Sequence, residues 1–249
     1  MNVVCLDLEG VLVPEIWIAF AEEAGIPELK RTTRDEPDYD KLMKWRLDVL
    51  AEHGLGLPDV QATIAKIDPM PGARAFLDEL RSLTQVIIIS DTFEQFAKPL
   101  VEKLGWPTLF CNELVVAEDG TITDFAMRCP ETKLTTVRAL HSCGMQTIAA
   151  GDSHNDLGMI LDSKAGFLFR TTDAIKAEYP ELPALETYDE LLAAIKAALS
   201  PTEWEADAPY CTFRLPYQNG SLLGRFFMNE AALSKFPLSW VREFVRRLP

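Results

Sequence analysis

Two acids separated by one residue, Asp7 and Glu9, follow directly on a short apolar run, Val3–Leu6. In extended backbone, positions i and i+2 point to the same side, so both carboxylates are expected to project together beyond the strand's carboxyl end. In open α/β sheets that edge is where ligands bind. Ser90-Asp91-Thr92 follows a second apolar run, Val86–Ile89. A hydroxyl there, ahead of a helix, can join the first helical N–H groups in holding a phosphate. Lys133 opens the helical segment before a third run, and an ammonium fixed at the same edge would neutralise phosphate charge. Gly151-Asp152-Ser153-His154-Asn155-Asp156 follows that third run, Thr147–Ala150. Asp152 and Asp156 lie four apart, so one helical turn brings both to one side. Hard oxygen ligands in such a cleft suit Mg²⁺. A paired carboxylate, a hydroxyl, a lysine and an acidic pair, in that order, are the parts of metal-assisted phosphoryl transfer.

The elements that must position these groups are legible as a pattern. Val3–Leu6, Val86–Ile89, Thr147–Ala150 and Gly166–Phe169 read as strands buried on both faces, the mark of a parallel sheet. Helical segments lie between them at Gly72–Leu83, Glu94–Leu104, Lys133–Ser142 and Asp156–Ser163. The alternation predicts an α/β, doubly wound, Rossmann-like fold with right-handed crossovers. The first gap is too long for one crossover. It holds helical patterns at Tyr39–His53 and Leu57–Ile67, so a helical cap inserted after the first strand is expected over 15–70. The catalytic core is then expected at 1–14 and 71–200. Leu114–Ala117 and Thr121–Thr123, around Glu118-Asp119-Gly120, predict a β-hairpin. Residues 188–199 read as the last core helix, ended at Ser200-Pro201. A C-terminal extension, 201–249, holds nine of the 23 aromatics, which predicts a folded element. Within it Asn219-Gly220 signals a hairpin and Ser239–Leu248 an amphipathic helix. Its role stays open between a dimer contact in a homo-oligomer, a lid extension and a docking element.

Charge narrows the partners. The net charge of −14 opposes non-specific nucleic-acid binding, and an anionic substrate must find its positive charge inside the site. Residues 201–249 carry six basic and five acidic groups, so the first 200 hold −15. Five cysteines without a CxxC pair give neither a disulfide framework nor a zinc ribbon. With no basic leader ahead of Val3 and no membrane-length apolar run, a cytoplasmic setting is expected. Cys5 is expected in the core, and His154 facing solvent or the cap.

The motifs resemble those of the haloacid dehalogenase superfamily of phosphatases. The superfamily's DxDx[TV] stands here as Asp7-Leu8-Glu9-Gly10-Val11, its second motif as Ser90, its third as Lys133 and its fourth as Gly151–Asp156. Within it, the runs CLDLEGVLVPEIW, ISDTF and AAGDSHND are similar to phosphoserine phosphatases, most of all to the bifunctional phosphoserine phosphatase/homoserine phosphotransferase branch. The likeness covers about residues 1–200. It implies Asp7 as nucleophile and Glu9 as acid/base, with Mg²⁺ held by Asp7, Asp152 and the Glu9 backbone carbonyl. Ser90, Asp91 and Lys133 would hold the phosphate, Asp156 would support the loop, and Glu15, Arg46 and Asn155 would bind phosphoserine. Glu9 departs from the superfamily's usual Asp by one methylene, and water and homoserine both stay open as acceptors. Glu15 also reads as a first-turn helix acid, and Arg46 as a surface partner of Asp40 or Asp48. Three rivals remain: another small phosphomonoester, a receiver-like phospho-accepting signalling module, and an inactive relative that only binds.

Overall fold

The structure, a computed structural model, describes residues 1–32, 35–36, 38–200, 211–217 and 220–226. The chain divides into two units, Met1–Leu199 and Ser200–Pro249. The first unit is built on a seven-stranded sheet of order β4-β3-β2-β1-β5-β6-β7. Its strands are β1 (Asn2–Leu6), β2 (Gln85–Phe93), β3 (Thr108–Val116), β4 (Ile122–Ala126), β5 (Gln146–Gly151), β6 (Ala165–Phe169) and β7 (Ala184–Leu185). All pair in parallel except β4, which runs antiparallel to β3.

The four apolar runs are the sheet's centre and its β6 flank, and their alternation sorts residues between two cores. Val4 and Leu6 of β1 face one cluster, while Val3 and Cys5 face the other. Helices α4 (Ala73–Leu83), α5 (Glu94–Lys103) and α9 (Tyr188–Leu199) bury Phe76, Phe96 and Leu191 in the first. Helices α6 (Thr132–Ser142) and α7 (Leu157–Asp162), with α8 (Asp173–Glu178), bury Val137, Met159 and Ile175 in the second. This is the doubly wound arrangement, with helices on both faces. Cys5 is fully buried, as expected of a core residue.

Between β1 and α4 stand α1 (Ile16–Ala24), α2 (Tyr39–Glu52) and α3 (Leu57–Ile64). Gly25 ends α1 in the left-handed conformation, its N–H returning to Ala21. Asp38 caps α2 by accepting from Lys41 N at 3.2 Å. The insertion meets the β3–β4 hairpin, where Leu57 N donates to Gly120 O at 2.8 Å.

Three local expectations change. The segment 57–67 is helical only to Ile64. The hairpin's first strand begins at Thr108 rather than Leu114, because Ile87–Ile89 and Phe93 of β2 pair with Thr108–Phe110 and Asn112. Asp156 does not open α7: it ends a short 3₁₀ turn, His154–Asp156, with its carboxylate folded back on the loop.

In the second unit, β8 (Cys211–Tyr217) and β9 (Gly220–Phe226) pair antiparallel, closing at Tyr217 and Gly220. The helix expected over Ser239–Leu248 lies outside the described residues. Among the described residues no helix is long and apolar enough to cross a membrane.

Candidate active site

The parallel order carries the ends of β1, β2 and β5 to one edge of the sheet. Asp7 continues the β1–β5 ladder by one bond, its N–H reaching Ala150 O at 3.0 Å. The side chain is buried. Its Oδ1 accepts from Leu8 N at 2.8 Å and lies 2.9 Å from Lys133 Nζ. Among the described residues no hydrogen bond engages Oδ2.

Lys133, the second residue of α6, is equally buried and donates to Asp156 Oδ1 at 2.5 Å. Burial would push its pKa down, but Asp156, Asp7 and Asp91 more than reverse this and hold it charged. Asp156 has its other oxygen on the N–H groups of Asp152 and Ser153, at 3.0 and 2.9 Å. Its acceptors are thus engaged by the loop and the lysine.

Carboxylate oxygens of Asp7, Asp152 and Asp156 lie within 4.8 Å of one another. Three carboxyl groups face one ammonium, so full ionisation would leave two uncompensated negative charges in a largely buried cluster. Burial, then Asp156, raises Asp7 well above the usual carboxylate range, against the pull of Lys133. Burial, with Asp156 and Glu15, pushes Asp152 up to about 7. Such a cluster of carboxyl groups could hold a divalent cation. The hard oxygen donors fit Mg²⁺. Because Asp156 is engaged elsewhere, Asp7 and Asp152 are the side chains free to ligate. A Cβ on Gly10 would lie 2.5 Å from the Asp152 carboxylate, in a backbone of φ +74°, so only glycine leaves this space open.

Glu9 turns toward the insertion. Its Oε2 accepts from Ile16 N at 3.0 Å, and the Thr92 side chain also bonds it. Burial, then the neighbouring Glu15, raises its pKa to about 8. Glu15 itself is exposed at the N-cap of α1 and makes no cap bond there, one position ahead of the first turn in which a dipole-favoured acid is expected.

Ser90 is buried, and its Oγ accepts from Thr92 N at 3.2 Å. The Asp91 carboxylate is held by the Thr132 hydroxyl and by Asn155 Nδ2, the latter at 2.8 Å. Asn155 therefore ties the fourth motif to the carboxyl-terminal end of β2.

Arg46 is not a surface partner of Asp40 or Asp48. It is buried, donates to Arg31 O at 2.7 Å and lies 4.6 Å over the Trp17 ring. Its buried Nε has no partner among the described residues. Burial lowers its pKa, with Tyr39, Glu9 and Glu15 opposing, to about 10, so it stays charged at neutral pH. Arg46, Glu15 and Glu9 thus share one electrostatic neighbourhood beside the acid cluster. His154 is exposed and meets Glu178 at 3.1 Å.

Several supporting groups escaped the sequence reading. Thr132 holds Asp91, Thr171 Oγ1 donates to Asp152 O at 2.5 Å, and Asn112 is fully buried with its Nδ2 on Asp91 O at 2.9 Å. Each is one hydroxyl or amide, and only its burial marks it.

A family model for haloacid dehalogenase-like hydrolases matches residues 1–163. A phosphoserine phosphatase of Pseudomonas syringae is 50% identical over 191 residues, 77% of this chain and 81% of that protein. The phosphoserine phosphatase ThrH of Pseudomonas aeruginosa is also 50% identical over 191 residues, 77% of this chain and 93% of its own length. A substrate-bound phosphoserine phosphatase complex superposes with a TM-score of 0.63 at 22% identity, covering 78% of this chain and 97% of that one, which shows the common fold. With the matched model running through all four motifs, the chain belongs to the haloacid dehalogenase-like hydrolase family.

Proposed function

We propose that the chain is a cytoplasmic, magnesium-dependent phosphoserine phosphatase that passes the phosphoryl group through Asp7. One observation carries the chemistry. Asp7 has one oxygen fixed by Leu8 N–H and Lys133 and the other, among the described residues, without a hydrogen bond, at the sheet edge inside a cluster of three acids. A nucleophile held by one oxygen and free at the other is pre-oriented for in-line attack.

Asp7 and Asp152 side chains, with the Glu9 carbonyl, would hold the Mg²⁺. When bound, it supplies charge neutralisation for the transferring phosphoryl group. The chain's own residues do the rest. Asp7 Oδ2 attacks phosphorus, the ester P–O bond breaks, and the departing serine oxygen takes the proton that Glu9 holds near neutral pH. An aspartyl-phosphate is left on Asp7. Glu9, now a carboxylate, takes a proton from the incoming water or alcohol. That oxygen attacks phosphorus and frees Asp7. Lys133 and Ser90 orient and neutralise the equatorial oxygens.

The substrate assignment rests on Arg46 and Glu15. A buried guanidinium with an unpartnered Nε suits a carboxylate, and the nearby Glu15 suits an ammonium. Residues 15–70 would act as the cap that carries both. The two 50%-identical relatives named phosphoserine phosphatases support this choice.

The test is phosphate release from phosphoserine and from p-nitrophenyl phosphate, with and without homoserine. Arg46→Ala is expected to raise the KM for phosphoserine much more than that for p-nitrophenyl phosphate. Equal effects would remove the substrate assignment. Phosphohomoserine formed in place of free phosphate would assign the transferase activity.

A further inference from the structure

The last, irregular stretch of β2, where its register against β3 shifts between Ile89 and Phe93, carries Ser90, and the peptide between Asp91 and Thr92 is gripped from both ends. Its carbonyl oxygen accepts from the Tyr39 hydroxyl at 3.2 Å and from Asn112 Nδ2 at 2.9 Å. Its N–H, that of Thr92, donates to Ser90 Oγ at 3.2 Å. The two donors come from different parts of the fold. Asn112 lies on β3, inside the sheet, and its own Oδ1 accepts from Arg128 N at 3.0 Å. Tyr39 is the first residue of α2 and belongs to the insertion. Its ring meets Phe125 of β4 edge-on at 6.2 Å, and Phe125 in turn meets Phe93 at 6.0 Å. Among the described residues the insertion's hydrogen bond to residues 90–92 comes from the Tyr39 hydroxyl, seated by an aromatic contact.

We propose that Tyr39 is a positioning residue for phosphate binding, acting through the Asp91–Thr92 peptide on Ser90, so that seating of the insertion is coupled to residues 90–92. An amide whose oxygen accepts two hydrogen bonds is polarised, and its N–H becomes the better donor. That N–H occupies a lone pair of Ser90 Oγ, which leaves the hydroxyl hydrogen to point outward at a phosphate oxygen. When the insertion lifts, Tyr39 leaves the carbonyl while Asn112 stays, and the Ser90 hydroxyl loses part of its orientation. Tyr39 therefore serves the phosphate end of the substrate, whereas Arg46, on the same helix, serves the other end. The inference rests on the reading above of Ser90 as a phosphate ligand and of residues 15–70 as a cover.

Tyr39→Phe keeps the ring and removes the hydroxyl. It is to be compared with Arg46→Ala on phosphoserine and p-nitrophenyl phosphate, with inorganic phosphate as product inhibitor. Loss of one neutral hydrogen bond is expected to raise both KM values and the inhibition constant of phosphate by a common factor, about three- to ten-fold. In a Ser90→Ala background, where the receiving hydroxyl is absent, Tyr39→Phe is expected to add nothing. An effect confined to phosphoserine, no effect on any of the three constants, or the full effect repeated in the Ser90→Ala background would each overturn the proposal. A wild-type protein inactive on phosphoserine would remove the substrate assignment alone. The p-nitrophenyl phosphate and phosphate arms would still decide the role of Tyr39.

Discussion

Asp152→Asn is expected to stabilise the metal-free protein while abolishing its response to magnesium. In the fold Asp152 stands with Asp7 and Asp156 against one lysine, and burial with Asp156 and Glu15 raises its pKa from 3.8 to about 7. A carboxyl group that holds its proton more tightly when folded contributes nothing below its unfolded pKa. It becomes destabilising as pH rises from about 4 to about 7, and the cost is constant above that. Converting the whole shift gives an upper bound of about 4 kcal/mol. The side chain is partly exposed, so solvent screening brings the expected gain on substitution to roughly 1–3 kcal/mol at about pH 8. For a unit of this size that is a rise in Tm of roughly 3–10 °C. Melting curves at about pH 5 and pH 8, in chelator and in excess magnesium, read it directly. The wild type gains about 2.7 kcal/mol when magnesium is about 100-fold above its Kd. The variant gains none, and its advantage in chelator shrinks at the lower pH. A variant less stable than wild type at the higher pH in chelator, or one that magnesium stabilises as strongly, would refute the electrostatic reasoning.

Three further outcomes follow from the same geometry. Lys133→Ala leaves the buried Asp7 and Asp156 without their ammonium and should cost about 3–5 kcal/mol of stability, measured by chemical denaturation; an unchanged midpoint contradicts the pairing. Gly10→Ala places a methyl against the Asp152 carboxylate in a strained backbone, so magnesium-dependent turnover should vanish while the far-ultraviolet spectrum is kept. Retained magnesium dependence would contradict the placement of the ion. Glu9→Gln should slow single turnover by roughly 10²–10⁴-fold, and Asp7→Asn should lose far more. Comparable losses for the two contradict their assigned roles.

The parts of the fold that the sequence exposes are those whose burial is continuous. Val3–Leu6, Val86–Ile89 and Thr147–Ala150 are apolar on both faces because the sheet is covered on both, and each lies in a parallel strand. The parallel half of β3 is different. Cys111, Asn112 and Glu113 interrupt its pattern because the strand lies toward the sheet's edge and because Asn112 bonds the Asp91 carbonyl in the irregular end of β2. No periodicity announces such a residue. The site shows the same division. Asp7, Glu9, Ser90 and Asp152 stand out in the sequence because carboxylates and a hydroxyl follow apolar runs, and Lys133 because it opens a helical segment. The distinction between Asp152, free to ligate, and Asp156, engaged by Lys133 and two N–H groups, depends on a 3₁₀ turn that spacing alone does not specify. Arg46 illustrates the limit most directly. Its neighbours in sequence suggest Asp40 or Asp48, yet packing against Trp17 takes it inside.

The claim on which the mechanism depends is that Asp7 carries the phosphoryl group between donor and acceptor. Acid-quenching the enzyme during turnover of phosphoserine with magnesium, followed by peptide mass mapping, tests it most directly. The expected result is one phosphoryl group, labile to hydroxylamine, on the peptide containing Asp7, and none in Asp7→Asn. A fully active enzyme with no trapped phosphoryl group at any quench time, or a group carried on another residue, would contradict it.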